Sequence, residues 1–336
     1  MTLSLDEVFT LARQALAGQG LAENQASAIA RTITAAERDG CQSHGLFRVP
    51  FYVAALQNPG IDPAAEPVVS VDSSAVVHVD AGCGFCPLAL ERGLEHLVER
   101  AQALGIAAMA IHRSYNIAAL WPEVEHLANA GLIAFAFTAS NAYVAPAGGS
   151  KPLYGTNPMA FAWPRAQQPP LVFDQASSVS ARGEIQLHQQ AGQPLPGGWA
   201  IDVHGEATTD PASALAGAQL AFGGYKGASL ALMIELLAGA LIGDLFSFES
   251  SAQDVHNTGA PFGGEFLIAI SPGRCAPGAS NDAHLERAEA LFTKILSQDG
   301  TRLPSDRRYQ ARVNHLANGI EIPAPLYEEL QGLASE

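Results

Sequence analysis

The spacing of apolar residues predicts helices at both ends of the chain. A helical pattern opens at Ser4, which with Glu7 forms a capping box, and it ends at Gly18. A second helical pattern covers residues 23–38. The tail from residue 281 is helical again and polar, so we expect it to pack against the N-terminal helices.

The middle of the chain alternates between strand and helix periods, which is typical of an α/β domain. Strands are predicted at 75–81, 106–112 and 132–138, and helices at 87–104 and 121–131 lie between them. The alternation therefore predicts a sheet covered by helices.

A turn-rich region, residues 153–220, precedes a long apolar helix, 228–243, and a late strand, 265–271. A length of 336 residues exceeds one ordinary core, so two packed domains are expected. We predict an α/β domain of residues 73–280 and a helical domain made of residues 1–72 together with 281–336.

The apolar segment 228–243 is predicted to be a buried helix of a soluble protein. It is shorter than a bilayer span, and Glu235 at its centre would cost about 3 kcal/mol in lipid. The first residues are acidic where a secretory signal would carry a basic end and an apolar run. We expect a cytoplasmic protein that binds no membrane.

The net charge argues against nucleic acid as a partner. The chain has 33 acidic and 18 basic side chains, a formal charge of -15 at pH 7, so a phosphate backbone would be repelled. Of its three lysines, Lys151 and Lys226 lie in or beside glycine-rich stretches, and the third is Lys294. Binding of a small anion therefore requires a local positive field.

The cysteines are interpreted as structural. Four residues, Cys41, Cys83, Cys86 and Cys275, are too few and too scattered for a disulfide framework in a chain of this size. Cys83 and Cys86 have the spacing of a redox motif or half a zinc site, but no second cysteine or histidine pair completes it. We expect no metal site.

Two glycine clusters precede predicted helices. GCGFCP at 82–87 is the nearest match to the Rossmann GxGxxG, but Pro87 occupies the third glycine position and suits the first turn of a helix. FGGYKGAS at 222–229 places Lys226 among the free N–H groups of a helix start, which is a natural phosphate cradle. The alternative is that these glycines serve close packing and that the lysine faces solvent.

The segment SHGLFR holds the candidate catalytic residues. If it is helical, His44 and Arg48 are four residues apart on one face, and an anion between them would relieve their repulsion. A small carboxylate meets that need, with Arg48 gripping both oxygens, His44 delivering a proton and Ser43 orienting the reacting group or relaying the proton. On these residues alone, a capping histidine and a solvated arginine remain the simpler alternative.

A serine hydrolase is a further alternative. The stretch CQSHG matches GxSxG except for Cys41 in place of the first glycine. A serine directly followed by its own base is not expected to reach it, because neighbouring side chains diverge. We set this alternative aside on that ground.

Motifs in order along nearly the whole chain indicate a family. They are RDGCQSHGLFRVP, AIHRSYNIAALWPEVE, KPLYGTNPMAFAWP, LVFDQASSVSARGEIQL, TTDP, FGGYKGASLALMIELLAGAL and RLPSDRRY. Together they resemble the malate/L-lactate dehydrogenase-like reductases, whose nicotinamide site is not of the Rossmann type. Within that family, AALWPEVE and FGGYKGASL are most similar to the Δ1-piperideine-2-carboxylate/Δ1-pyrroline-2-carboxylate reductases.

The resemblance implies a fold, an assembly and an activity. The fold would be α/β (α+β), with a non-Rossmann NAD(P)-binding mixed sheet beside the helical domain, in a homodimer. The activity would be NADPH-dependent reduction of Δ1-piperideine-2-carboxylate to L-pipecolate and of Δ1-pyrroline-2-carboxylate to L-proline. One ring CH₂ is worth about 1 kcal/mol, so poor discrimination between the two rings is expected. The alternative is a 2-hydroxy acid dehydrogenase of the malate or lactate type, because the catalytic residues do not separate C=N from C=O.

The resemblance also assigns roles by position. Ser43 matches the relay serine, His44 the proton donor and Arg48 the ligand of the substrate carboxylate, and Glu184 stands where the family has its relay carboxylate. The positions that match the cofactor site are Asn116, Ile117, Ala118, Ala119, Leu120, Thr156, Asp174, Gln175, Ala176, Tyr225, Lys226, Arg302, Leu303, Pro304, Ser305, Asp306, Arg307 and Arg308. Arg307 and Arg308 suit a ribose 2′-phosphate, which favours NADPH over NADH, and Asp306 opposes that inference.

This chain departs from the family pattern at three of these positions. The family usually has histidine where Asn116 and Tyr225 stand, and aspartate where Glu184 stands. Asparagine keeps a hydrogen-bonding group but cannot change charge, and glutamate carries its charge on a longer arm. Since a misplacement of about 1 Å can cost about 100-fold in rate, a weakly active cofactor-binding paralogue remains an alternative.

Overall fold

Short strands and helices alternate along the chain. The computed structural model describes residues 1–254, 258–275 and 281–335. The strands in these residues are β1 (Thr2–Leu3), β2 (Val68–Val71), β3 (Val76–Asp80), β4 (Ile106–Tyr115), β5 (Ile133–Thr138), β6 (Met159–Trp163), β7 (Leu171–Gln175), β8 (Ala200–Ile201), β9 (Ala207–Thr208), β10 (Ala218–Gln219), β11 (Phe262–Ile270) and β12 (Ile320–Glu321). The helices are α1 (Leu5–Gly18), α2 (Glu23–Arg38), α3 (Val49–Ala55), α4 (Cys86–Leu104), α5 (Trp121–Asn129), α6 (Arg182–Gln190), α7 (Pro211–Ala216), α8 (Tyr225–Glu235), α9 (Ser247–Gln253), α10 (Pro272–Cys275), α11 (Asn281–Leu296), α12 (Asp306–Asn318) and α13 (Ala324–Ser335).

A seven-stranded mixed sheet forms the centre of the protein. Its strand order is β2-β3-β4-β11-β5-β6-β7. Only β3 and β4 pair in parallel, and every other neighbouring pair in this sheet is antiparallel. A Rossmann sheet is mostly parallel, whereas this one is mostly antiparallel, so the expectation of a mixed, non-Rossmann sheet is confirmed. The cluster at 82–87 precedes α4, in which Pro87 lies in the first turn, as its structural interpretation predicted.

The main core lies between this sheet and the helices α4 and α5. Val77, Val79, Met109 and Ile111 alternate inward from β3 and β4 and are fully buried with Leu97 of α4. Full burial of each such side chain stabilises the fold by about 1.5–3 kcal/mol. The sheet is thus fixed in place behind the loops that follow β4 and β7.

A second core joins the two ends of the chain. The capping box of Ser4 and Glu7 opens α1, as predicted, and α1 packs against α2 and α13. Strand β1 pairs with β12, and the Met1 amino group donates a 2.8 Å hydrogen bond to the Ile322 carbonyl. The expectation that the helical tail packs on the N-terminal helices is therefore confirmed.

The division into two domains stays a prediction. Strand β2 lies within residues 1–72 but forms the edge of the seven-stranded sheet. Helix α11 also contacts that sheet, because Glu289 accepts two 2.7 Å bonds from Arg165, which follows β6. The predicted boundary at residue 280 lies outside the described residues.

The region 153–220 contains more regular structure than its turn-rich sequence predicts. Strands β6 and β7 are part of the main sheet, α6 follows them, and β8, β9 and β10 form a small separate sheet in the order β10-β8-β9. Pro158 and Pro164 flank β6, and Pro170 precedes β7. Each strand is only five residues long, so its alternation of apolar and polar residues is too short to recognise in the sequence.

The apolar segment 228–243 is not one buried helix, which corrects the prediction. Helix α8 gives way to a π-helical turn at Leu236–Ala240. One side of this segment is buried, but Leu232, Leu236 and Leu241 are 45%, 50% and 61% exposed. None of the helices in the described ranges has the length and apolar character needed to cross a membrane.

Glu235 is stabilised inside the protein at the end of α8. Its carboxylate accepts hydrogen bonds from Asn157 Nδ2 at 2.7 Å, from the Ser247 backbone N–H at 2.9 Å and from Ser247 Oγ at 2.5 Å. A buried charge requires such partners. Because Asn157 follows Thr156, this contact ties the loop before β6 to α8.

Candidate active site

The segment with the candidate catalytic residues forms two 3₁₀ turns, Gln42–His44 and Leu46–Arg48, and not the continuous helix assumed from its sequence. Gly45 separates the turns. A Cβ atom at Gly45 would lie 2.1 Å from Glu37 Oε1, which accepts a 2.7 Å bond from the Leu46 N–H. The buried carboxylate of Glu37 therefore shapes this turn, a role that sequence reasoning missed.

Ser43 and His44 contact each other directly. Ser43 Oγ lies 3.1 Å from His44 Nδ1. The expectation that neighbouring side chains diverge is therefore wrong here, because the 3₁₀ turn brings the hydroxyl round to its neighbour's ring. The contact leaves His44 Nε2 available for a ligand.

Arg48 lies beside this pair although the segment is not helical. Its Nε donates a 2.7 Å hydrogen bond to the Ser43 carbonyl, and its guanidinium stacks on Phe51 with 5.1 Å from Cζ to the ring centroid. Burial, and after it the Arg48 charge, lowers the pKa of His44 to about 4. The imidazole is therefore neutral at pH 7 in the protein alone, and an anion on Arg48 would raise that pKa.

Glu184 lies on a neighbouring helix, α6. It belongs to the first turn of α6, whose Gly183 approaches Arg48: a Cβ atom at Gly183 would lie 3.8 Å from Arg48 Nη2. The Glu184 side chain itself is exposed. The residues that the structure describes give it no hydrogen bond to Ser43 or His44, so its relay role stays a prediction.

The loop 116–120 is fixed by two carboxylates. Asn116 Nδ2 donates a 2.6 Å hydrogen bond to Glu265 on β11. At the other end of the loop, Asp174 Oδ2 accepts from the Leu120 and Trp121 N–H groups at 2.9 and 3.1 Å. Burial raises the pKa of Asp174 to about 6, against the hydrogen bond from Leu120 and the charge of Arg308. The structure thus brings together two of the predicted cofactor stretches, 116–120 and 174–176.

Thr156 and the start of α8 are linked through Ser177. The Thr156 carbonyl accepts from the Ser177 N–H at 2.8 Å, and the Ser177 carbonyl accepts from the Phe222 N–H at 3.0 Å. Gly223 and Gly224, which follow, have φ of +58° and +65°. No atom lies within 4 Å of a Cβ built at Gly224, so the backbone there is open to a ligand. Tyr225 and Lys226, beside it, are exposed.

The segment 302–308, near the C-terminus, packs beside the loop 116–120. The Arg308 guanidinium stacks over the Trp121 ring at 4.6 Å from its centroid. Ser305 has a left-handed backbone, with φ of 72°, and its Oγ accepts a 3.3 Å bond from the Val172 N–H on β7. Asp306 accepts a 2.8 Å bond from the Leu303 N–H.

The remaining predicted cofactor residues differ in exposure. Arg302, Pro304, Arg307 and Gln175 are exposed, Leu303 is buried, and Ala176 is partly buried. The open glycine backbone with Lys226, and the arginines of α12, form the kind of cationic and N–H donor set that fits a dinucleotide.

An ion network behind the site was also missed from the sequence. Arg312 of α12 donates bonds of 2.7 and 2.6 Å to Asp39, which is 2% exposed and lies just before the 3₁₀ turns. Arg312 also binds Glu125 of α5 at 2.9 Å, and Arg38 pairs with Asp39 at 2.7 Å. The hydrogen bonds and charges of Arg38 and Arg312 lower the pKa of Asp39 against its burial. The network connects the turn that holds the candidate catalytic residues to α12.

The described ranges contain no group of three or more His, Cys, Asp or Glu residues placed to hold a metal ion. Cys41, Cys83, Cys86 and Cys275 are free thiols.

Comparison with known proteins identifies relatives over the whole length. The family model for malate/L-lactate dehydrogenase matches residues 3–331. A Delta(1)-pyrroline-2-carboxylate/Delta(1)-piperideine-2-carboxylate reductase of Pseudomonas aeruginosa is 51% identical over 331 residues, which cover 98% of each chain. A (2R)-3-sulfolactate dehydrogenase (NADP(+)) of Chromohalobacter salexigens is 42% identical over 332 residues, 99% of this chain and 98% of the other.

A solved structure matches the fold equally completely. The crystal structure of a delta1-piperideine-2-carboxylate reductase from Pseudomonas syringae pvar. tomato superposes with a TM-score of 0.94 at 39% identity and covers 99% of each chain. The resemblance inferred from the motifs and the predicted fold class are both confirmed. The chain belongs to the malate/L-lactate dehydrogenase family, whose members are NAD(P)-dependent.

Proposed function

We propose that the protein reduces the C=N bond of small cyclic imino acids, Δ1-piperideine-2-carboxylate to L-pipecolate and Δ1-pyrroline-2-carboxylate to L-proline. The observation that carries the proposal is full-length similarity, at 51% identity, to a reductase of that name. The grouping of Ser43, His44 and Arg48 supports it, because such a substrate needs a proton at nitrogen and a cation for its carboxylate.

Each candidate residue of this chain has a separate role in the proposed reaction. When bound, the nicotinamide supplies a hydride to C2 of the substrate. Arg48 binds the carboxylate at C2, and His44 gives a proton to the ring nitrogen, so that the C=N bond becomes CH–NH. Ser43 holds the imidazole through its 3.1 Å contact with Nδ1. Glu184 is the proposed group that returns a proton to His44.

Substrate binding itself prepares the proton donor. Because burial and Arg48 hold the pKa of His44 near 4, the free protein carries a neutral imidazole at pH 7. A substrate carboxylate bound to Arg48 offsets the positive charge of that arginine and so raises the pKa of His44. Protonation of His44 is thereby coupled to the presence of the acid group that the substrate carries.

The second candidate is oxidation or reduction of a 2-hydroxy or 2-oxo acid, which the similarity to a sulfolactate dehydrogenase supports. Oxidation of NADPH measured in parallel with piperideine-2-carboxylate, pyrroline-2-carboxylate, pyruvate and oxaloacetate separates the two. We expect both imines to react faster than both keto acids, and within about tenfold of each other, since one methylene is worth about 1 kcal/mol. Faster turnover of either keto acid would contradict the proposal.

NADPH is the proposed cofactor, because Arg307 and Arg308 on α12 suit a 2′-phosphate while Asp306 is engaged with the Leu303 N–H. Replacing Arg307 and Arg308 together by alanine should raise the Kd of NADPH by about tenfold or more and leave that of NADH nearly unchanged. Lys226→Ala should weaken both nucleotides, since its proposed partner is the phosphate that they share. Equal loss of NADPH and NADH in the double variant would count against 2′-phosphate recognition.

A homodimer in the cytoplasm is the proposed state of the protein. The exposed apolar strip of Leu232, Leu236 and Leu241 supports a subunit contact, because large apolar side chains grouped on a surface are typical of interfaces. Sedimentation at micromolar concentration should give about twice the chain mass of 35.1 kDa. A species of the single-chain mass would argue against the dimer.

A further inference from the structure

A pair of buried carboxyl groups behind the loop 116–120 has no part in the chemistry proposed above. Glu265 on β11 is 0% exposed, and Glu123 in the first turn of α5 is 4% exposed. In the described part of the chain, Oε1 of each is buried without a hydrogen-bond partner. Burying two carboxyl groups together is costly, so their presence requires a physical reason.

Glu265 is linked to the loop 116–120 through the side chain of Asn116. Its Oε2 accepts a 2.6 Å hydrogen bond from Asn116 Nδ2 and a 3.3 Å bond from Cys86 Sγ. Asn116 Oδ1 in turn accepts a 2.9 Å bond from the Ala118 N–H. An amide can donate at one end and accept at the other, which a carboxylate or an ammonium cannot. The position of Ala118 is therefore set by Glu265.

Glu123 and Glu265 lie close enough for each to shift the other's ionisation. Burial, and after it the charge of Glu265, raises the pKa of Glu123 well above its usual value. Burial raises the pKa of Glu265 to about 7, against its hydrogen bonds with Cys86 and Asn116. The charge of Asp174 also raises the pKa of both groups. Glu123 is thus the protonated member, and Glu265 is the one that accepts from Asn116.

We propose that Glu265 is a positioning residue that holds the Asn116 side chain and keeps the loop 116–120 in its cofactor-binding conformation. Asp174 holds the opposite end of the loop through Leu120 and Trp121. The loop is therefore fixed at both ends by carboxylates that belong to rigid strands, β11 and β7. The inference rests on the cofactor site proposed above.

Glu265→Ala tests this role in the full-length protein. We expect the Kd of NADPH, measured by titration of its fluorescence, to rise by about tenfold, as for loss of a hydrogen bond to a charged group. The kcat at saturating NADPH should stay within about threefold, because no group that touches the substrate is lost. In the ligand-free protein, amide hydrogen exchange at 117–121 should become faster. Glu265→Gln keeps an acceptor for Asn116 and should restore the Kd to near the wild-type value.

Leu267→Ala is the matched control. Leu267 is two residues along β11, on the same face, and 0% exposed, but its side chain makes no hydrogen bond to the loop. It should lower stability without changing the Kd of NADPH. If Glu265→Ala does not fold, Asn116→Ala removes the same link, and amide exchange at 117–121 in its ligand-free form should become faster, a result that loss of a direct contact with the cofactor would not produce.

Two results would overturn the inference: an unchanged Kd and unchanged exchange in Glu265→Ala and Asn116→Ala, or an equal rise in Kd in Leu267→Ala. Failure of the wild-type protein to bind NADPH would refute the proposed function instead, and amide exchange at 117–121 would still test the link from Glu265 to the loop.

Discussion

Replacement of His44 by alanine should lower kcat by roughly 100-fold or more, while the Kd of NADPH stays unchanged. General acid catalysis by a positioned side chain commonly contributes that much, and the alanine removes the imidazole that contacts Ser43 Oγ. The measurements are steady-state kinetics with piperideine-2-carboxylate and a fluorescence titration of NADPH. An unchanged kcat would remove His44 from the chemistry.

The pH dependence adds a control to this experiment. In the wild-type protein, kcat should fall as pH rises, because the reaction uses the protonated imidazole, whose pKa lies near 4 before substrate binds and higher with a carboxylate on Arg48. His44→Ala should lose that dependence. Ser43→Ala keeps the ring and should reduce kcat less than His44→Ala does. A falling limb that persists in His44→Ala would assign it to another group.

Replacement of Arg48 by alanine should act mainly through the substrate. The KM for the imino acid should rise, and kcat/KM should fall roughly 30-fold or more. This fall corresponds to a loss of about 2 kcal/mol in transition-state stabilisation, because a charge-assisted pair with the carboxylate disappears. The measurement is kcat/KM at saturating NADPH. Since Arg48 Nε also donates to the Ser43 carbonyl, part of the loss reflects a looser turn around His44.

Arg48→Lys separates these two effects. Lysine keeps the charge but lacks the planar fork that binds both carboxylate oxygens. It should recover only part of kcat/KM and leave the Kd of NADPH as in the wild type. If Arg48→Ala lowered kcat and left KM unchanged, Arg48 would not be the carboxylate ligand.

Local patterns in the sequence were sufficient for most elements of the sheet, because strands such as β4 and β5 carry long apolar runs and α4 has a clear helical period. Strands β6 and β7 were missed because each has five residues next to proline. The π turn after α8 was also missed, since an apolar run does not show where the hydrogen-bond register of a helix changes.

The candidate site was predictable only in part. Ser43, His44 and Arg48 lie within one short segment, so their proximity could be inferred although their conformation could not. Asp39 and Glu265 act through partners far away in the sequence, Arg312 and Asn116 respectively. A single acidic residue inside an apolar strand, as in GGEFLIAI, was the signal that could have indicated Glu265.

The bonds between Asp39 and Arg312 join residues 273 positions apart. Contacts of such long separation form late, because the intervening chain must first be ordered. During synthesis the seven-stranded sheet can assemble once β11 has left the ribosome, but the turn with the candidate catalytic residues still lacks α12 behind it. A nascent chain halted before residue 300 would therefore hold a sheet but lack the segment 302–308 of the proposed nucleotide site, and we expect it to bind cofactor only after the final helices have been made.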